Sequence, residues 1–409
     1  MTETLPDETA VRPEHPMPRA AGCPFDPPPA LRELQAREPI TRVRIWDGSS
    51  PWLVTRYQDV RSLLADPRVS SDTTRPGYPH RTAGFRAGDE SRRSFIAMDD
   101  PEHARLRRMV TGPFAVKKLE LLRPAVQRIV DDLIDEMLAG PNPVDLVEAF
   151  ALPVPSLVIC ELLGVPYADH DLFQRNTRTL VRSTSTPEEV VTAVTTLTGY
   201  LEELLDAKLA RPGDDLFSLL ATQRVATGEL SRAEAARMGV LLLSAGHETT
   251  ANMIALGTVA LLRHPDQLAR VRDAGSPKET APAVEELLRY LTITHSGRRR
   301  VALEDIRIGD VVIRAGEGIV LANEAANRDP EVFPDPDRLD VTRDARRHVA
   351  FGFGVHQCLG QPLARIELQA VYSTLYRRVP TLALAVPADR LRYKHDGIVY
   401  GVYELPVTW

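Results

Sequence analysis

Cys358 stands in the run Phe351-Gly352-Phe353-Gly354-Val355-His356-Gln357-Cys358-Leu359-Gly360, a glycine-rich loop with basic residues nearby and a helix-forming run from Leu363. A thiol so placed is a candidate for a permanent thiolate, because the N–H groups at a helix start and neighbouring positive charge both lower its pKa. A thiolate needs something to bind or attack, and an iron centre is one good partner. Lone cysteines among apolar neighbours are more often inert core residues. Cys160, in Leu157-Val158-Ile159-Cys160-Glu161-Leu162-Leu163, has that setting, whereas the neighbours of Cys358 are glycines and a histidine. Two other motifs fail on spacing. Gly352-x-Gly354 begins a dinucleotide fingerprint, but its third glycine position is Gln357. His247-Glu248 begins a zinc-protease pattern, but Ala251 occupies the place of the second histidine.

A second constellation is Ala245-Gly246-His247-Glu248-Thr249-Thr250, which puts glycine, charge and hydroxyls inside an otherwise apolar segment. Gly246 would permit close approach of a flat ligand, and Thr249 can bond a carbonyl one turn back. His103 and Arg107 lie one helical turn apart, so both can face a single anion. Glu286 and Arg289, three residues apart, share a helix face. Such a pair is ordinarily a surface contact worth little.

These groups require elements to position them. Met238 to Leu262 reads as one long helix, entered by a capping box at Ser231-x-x-Glu234. Helical patterns dominate from Pro101 to Leu291. Thr41–Ile45 and Trp52–Val54 form a hairpin about Asp47-Gly48. Ile306–Ile308, Val311–Ile313 and Ile319–Leu321, separated by Gly309-Asp310 and Gly316-Glu317-Gly318, are expected to make a small late sheet. The fold class is therefore mainly α with small β-sheets. In the 409 residues no linker, charge block or repeat divides the chain. Residues 1–29, rich in proline and acidic residues, are expected to form a flexible arm before a single domain over 30–409. Three widely spaced cysteines, Cys23 in the arm among them, give no disulfide framework and suit a reducing cytoplasm. Net charge of −6 argues against a nucleic-acid binder. No apolar run approaches the length of a membrane span, and no signal peptide opens the chain.

The order F-G-x-G-x-H-x-C-x-G resembles the haem-ligand loop of the cytochrome P-450 family, and the likeness extends over essentially the whole chain. It implies the triangular, helix-rich P-450 prism, with b-type haem (heme b) between the long central helix and the cysteine loop. It makes Cys358 the axial thiolate ligand of the iron. Phe351 would pack on the thiolate side, and Gly360 would let the chain turn beneath the ring. N–H groups near Leu359 and Gly360 would bond the sulfur. Ala245 and Gly246 would lie against the ring, with Glu248 and Thr249 as the acid–alcohol pair that delivers protons to dioxygen. His103, Arg107, Arg300 and His348 match the family's propionate ligands, with His356 joining them or lying at the proximal rim. Glu286 and Arg289 match its buried structural pair, completed by Arg338. Losing one partner of such a network strands a buried charge.

The resemblance also makes the long loop Asp72–Phe95 a substrate-recognition segment. Its Arg75, His80, Arg81, Arg86, Arg92 and Arg93 would suit a substrate polar or acidic at one end. Leu180, Val181, Leu242, Ile293, Thr294, Ile398 and Val399 are the other pocket candidates, although each equally suits core packing. The implied reaction is hydroxylation or epoxidation of a mid-sized apolar molecule such as a macrolide, terpenoid, sterol-like compound or drug. The chain ends at Trp409 with no room for a fused reductase, so NAD(P)H-derived electrons would come through ferredoxin and its reductase to a monomeric enzyme. Arg105, Arg108, Arg347 and Arg365 would dock the acidic ferredoxin. The alternatives are a haem-thiolate enzyme that uses peroxide or couples rings without net oxygen insertion, and a non-catalytic haem sensor.

Overall fold

The computed structural model describes residues 12–20, 23–88 and 93–409. Its first labelled helices are α1 (Glu102–Thr111), α2 (Pro153–Leu163), α3 (His170–Val181) and α4 (Pro187–Ala210). The central helix α5 (Arg232–Leu262) follows, then α6 (Ala281–Leu291) and α7 (Gln361–Arg378). The capping box at the start of α5 is complete: Glu234 N–H donates to Ser231 Oγ at 3.2 Å, and Ser231 N–H donates to Glu234 Oε2 at 2.9 Å. Two orphan donors of the first turn are thereby satisfied. Beyond Thr249 the helix is buried continuously through Leu261, as a rod surrounded by α2, α3, α4 and α7 must be.

Two close contacts fix how that rod is clasped. A Cβ on Gly257 would fall 2.0 Å from the Tyr372 hydroxyl, which donates to the Met253 carbonyl at 2.6 Å. On the other flank a Cβ on Gly246 would fall 2.7 Å from Ile159 Cγ1 of α2. Gly246 thus serves the crossing of two helices and is not the clearance for a flat ligand expected of it.

The strands are short. Labelled in chain order, β1 (Ile40–Arg42) and β2 (Trp52–Val54) form the expected hairpin. With β3 (Val69–Ser70), β4 (Arg298–Ala302) and β7 (Gly318–Leu321) they make a five-stranded sheet of order β1-β2-β7-β4-β3. The expected late sheet divides. Among the described residues β5 (Ile306–Ile308) and β6 (Val311–Ile313) pair only with each other. The four residues of β7 are all buried, so they enter the larger sheet parallel to β2 and antiparallel to β4.

The arm is also not loose throughout. Met1–Val11, Ala21 and Gly22 lie outside the described residues. Residues 12–20 and 23–28 hold to the body: Met17 and Phe25 are buried in the core, His15 N–H donates to the Arg44 carbonyl at 2.8 Å, and Arg328 pairs with Asp26 at 3.1 Å. Apolar side chains at 17 and 25 override the polar composition around them.

Candidate haem-thiolate active site

The cysteine loop is built by two left-handed glycines. Gly352 (φ +73°) backs onto the Arg298 guanidinium, where a Cβ would come within 3.3 Å of Nε. Gly354 (φ +74°) backs onto the Leu64 carbonyl, where a Cβ would come within 2.6 Å. Only glycine satisfies both the φ and the approach. The loop closes when Cys358 N–H donates to the Phe351 carbonyl at 2.8 Å. The Gly360 N–H then bonds the sulfur, as expected from the sequence. An added Cβ on Gly360 would meet nothing within 4 Å, so this turn borders open space. Phe351 is held by the Arg365 guanidinium, 4.7 Å over its ring, and by His348 at 5.8 Å.

Cys358 is solvent-accessible, yet the surrounding protein desolvates its sulfur. Burial pushes the thiol pKa up, and Arg298, the Gly360 N–H, Arg107 and Arg365 only oppose that rise. A metal coordinated by the sulfur would add to these groups in favouring the thiolate.

Ala245 of the central helix is likewise accessible, although Leu242, Leu243, His247 and Glu248 around it are buried. Thr249, one turn on, donates its hydroxyl to the Ala245 carbonyl at 2.7 Å, the predicted back-bond. Glu248 is buried beside it. Asn252 donates to its Oε2 at 3.3 Å, and Lys394 Nζ lies 3.9 Å from the same oxygen. Burial depresses the Lys394 pKa, against the attraction of Glu248. Lys394 and Asn252 carried no recognisable signal in the sequence, since neither belongs to a motif.

Several polar groups around Cys358 are buried with nothing to bond among the described residues: His103 Nε2, His356 Nδ1 and Arg298 Nε. The His103 and His356 rings lie 4.1 Å apart, and Asp100 holds His103 through Nδ1 at 2.9 Å. Burial, with Arg300, His103 and Arg107 adding repulsion, pushes the His356 pKa down to about 3. Arg107 donates to the Gln357 carbonyl at 2.6 Å. Orphaned donors converging beside a thiol fit a planar cofactor with anionic substituents.

Arg298 was missed in the sequence. Period-two alternation puts it on the same face of β4 as Arg300, and that was the available signal. His348 does not belong to the set. Its Nε2 faces Glu285 Oε2 at 3.1 Å and its Nδ1 accepts from the Ala350 N–H at 3.2 Å, so both nitrogens are used. The Glu286–Arg289 pair is fully buried and bidentate, at 2.7 and 2.8 Å. Its third member is Arg343, 3.2 Å from Glu286 Oε1, and not Arg338. The Arg338 side chain is 69% exposed on Asp340, and only its carbonyl faces Arg289.

Backbone pairing gathers most of the pocket candidates. Ile398 N–H donates to the Val181 carbonyl at 3.0 Å, Thr294 bridges Val399, and Tyr400 N–H donates to the Ile293 carbonyl at 2.7 Å. Leu180 and Leu242 are buried in the main core. The 72–95 loop contains a short helix, Ala83–Gly88. Its arginines are largely occupied by protein: Arg75 by Asp99 at 3.4 Å, Arg93 by Asp72 at 3.3 Å, and Arg81 by Ser296 Oγ and the Gly297 carbonyl, both at 2.6 Å. Arg92 lies outside the described residues. Three of the loop's basic residues, Arg75, Arg81 and Arg93, are thus engaged by the protein itself.

A family model for cytochrome P450 matches residues 280–379. Cytochrome P450 GfsF of Streptomyces halstedii is 59% identical over 405 residues, 98% of each chain. Cytochrome P450-SU2 of Streptomyces griseolus is 58% identical over 394 residues, 96% of each. The crystal structure of mycinamicin VIII C21 methyl hydroxylase MycCI from Micromonospora griseorubida, bound to mycinamicin VIII, superposes with a TM-score of 0.91. It is 42% identical, covering 97% of this chain and 100% of that one.

Proposed function

Because this chain belongs to the cytochrome P450 family and is a P450 monooxygenase, we propose that it hydroxylates a mid-sized apolar molecule of macrolide, terpenoid or sterol-like size with electrons from a ferredoxin. The accessible Cys358 sulfur, ringed by the orphaned nitrogens of His103, His356 and Arg298, is the observation that carries this reading. Cys358 would hold the haem iron, with His103, Arg107, Arg298, Arg300 and His356 available to the propionates. When bound, the haem supplies activation of dioxygen for transfer of one oxygen atom to a C–H bond, the other leaving as water.

The remaining work falls to the chain's own side chains. The Gly360 N–H bonded to the sulfur withdraws charge from it and so sets its donor strength. The Thr249 proton rests on the Ala245 carbonyl, so the hydroxyl oxygen is free to accept and then pass a proton in the cavity. Glu248, between Asn252 and Lys394, holds a carboxylate behind Thr249 that takes up protons from the Lys394 side. The mycinamicin VIII bound to MycCI, a protein of nearly superposable fold, makes that compound the first to try with this chain.

An optical titration of the ferric holoprotein with macrolides, terpenoids and drugs tests the substrate class. A low-to-high-spin shift is expected with at least one class. No shift from any of them, with haem intact, would defeat the substrate assignment. The ligand assignment is tested by Cys358→Ser, which is expected to abolish the red-shifted carbon monoxide band that thiolate ligation gives the reduced protein.

A further inference from the structure

Glu248 stands on the central helix one residue before Thr249, with 6% of its side chain exposed. A carboxylate that deep is costly unless other groups compensate it. Among the described residues, α5 itself supplies one side-chain hydrogen bond to it, from Asn252 Nδ2 to Oε2 at 3.3 Å. The other group at that oxygen comes from the far end of the chain. Lys394 Nζ lies 3.9 Å away, with 21% of its side chain exposed. The pair is therefore graded, the carboxylate sealed in protein and the ammonium reaching water.

Backbone contacts fix where Lys394 stands. Its N–H donates to the Gly401 carbonyl at 2.9 Å, and Tyr403 N–H donates to the Arg392 carbonyl at 2.9 Å, so residues 392–403 fold back on themselves. Gly401 presses this turn against the central helix: a Cβ there would fall 1.9 Å from Asn252 Oδ1. Asn252 is thus clasped between the turn and Glu248, whose carbonyl it also bonds at 2.7 Å.

The other charged groups near Lys394 are Arg178, Asp396 and Glu148. Arg178 of α3 pairs with Glu148 at 3.8 Å on the surface. Asp396 pairs with Arg182 at 3.8 Å and accepts the Tyr403 hydroxyl. The Tyr403 ring lies 5.8 Å from Lys394 Nζ. His247, next to Glu248, spends its nitrogens on the Leu243 carbonyl at 2.7 Å and Thr177 Oγ1 at 3.0 Å. Among the described residues, Lys394 is the cation within ion-pair distance of Glu248.

We propose, on the premise that Glu248 relays protons, that Lys394 is its positioning residue. The ammonium balances the buried carboxylate and holds it at the solvent side of the central helix, where it takes up a proton from water and passes it toward Thr249.

The first test needs no turnover. In the ferric holoprotein, Lys394→Met is expected to lower the melting temperature, and the loss is expected to vanish in a Glu248→Gln background. An equal shift in both backgrounds would show that the two side chains do not act as a pair, and would overturn the proposal. The second test reads oxygen consumption with NAD(P)H, excess ferredoxin and its reductase, and no organic substrate added. Lys394→Met is expected to slow consumption roughly tenfold and to raise the ratio of rates in ordinary and heavy water, because proton uptake becomes limiting. Lys394→Arg keeps the charge and is expected to restore both. A lysine that served packing alone would not move the isotope ratio. An unmoved ratio in Lys394→Met, or no rescue by arginine, would overturn the positioning role. Glu248→Gln separates the two levels. If it slows consumption and raises the ratio while Lys394→Met does neither, the role of Lys394 falls alone. If it too changes nothing, the relay falls with it.

Discussion

At the scale of single residues, the site divides between groups spaced by a motif and groups brought in from elsewhere. Cys358, Glu248 and Thr249 are fixed by local sequence, and their neighbours are not. Thr249→Ala removes the hydroxyl to which the proposed proton relay is assigned. Product formation is expected to fall by roughly tenfold or more, while peroxide release rises at an unchanged rate of NAD(P)H oxidation. An unchanged ratio of product to peroxide would take Thr249 out of proton delivery. The Glu286 network gives a second prediction. Arg343→Ala removes one charged partner of the buried Glu286, which keeps its bidentate bond to Arg289, and is expected to cost about 2 kcal/mol in urea unfolding. Arg338→Ala, at an exposed side chain, should be indistinguishable from the parent. Arg338 and Arg343 lie in one arginine-rich stretch. Which of them turns inward depends on the path of the chain after Pro334, where Arg343 also caps the carbonyls of Pro334 and Asp335.

At the scale of elements, α6 and the cysteine loop are joined by a strut that sequence spacing did not reveal. Glu285 accepts two bonds from Arg365, at 2.6 and 2.9 Å, and one from His348. Burial alone would raise its pKa, but these hydrogen bonds win and hold it at about 2. A carboxylate depressed in the folded state stabilises the protein above its unfolded pKa. That contribution is lost as pH falls from about 4.5 through about 2. Glu285→Gln is therefore expected to lose about 3 kcal/mol at neutral pH, with the difference from the parent shrinking as the pH of unfolding is lowered through this window. A constant difference would refute the linkage. The α5–α2 crossing offers a packing test. Gly246→Ala should cost about 2 kcal/mol, and adding Ile159→Ala should recover much of it, because the new methyl meets that side chain. The ends of α5 were legible because a capping box is local. The crossing at Gly246 was not, because Ile159 lies far away in the chain.

For the whole molecule, partner docking depends on which arginines the fold leaves free. Arg105 is engaged by Glu102 and Glu234, and Arg365 by Glu285. Arg108 and Arg347 remain exposed among the four expected. Neutralising Arg108 and Arg347 together is expected to slow reduction by ferredoxin about tenfold at low salt and to flatten its salt dependence. Reduction by dithionite should be unchanged. Equal salt slopes in parent and variant would move the docking face elsewhere.

Local sequence determined the helices, the capping box, the hairpin and the glycine-framed cysteine, because each is specified by neighbours within a few residues. Tertiary structure decided that β7 leaves the late hairpin for the larger sheet, since its four buried residues need cover on both faces. It decided that Arg298 joins the site while His348 leaves it, since Glu285 of α6 satisfies that histidine. It also turned Gly246 toward a helix instead of a ligand. Hydrogen bonds, burial and charge compensation are settled by whichever distant group arrives, and chain spacing does not encode that.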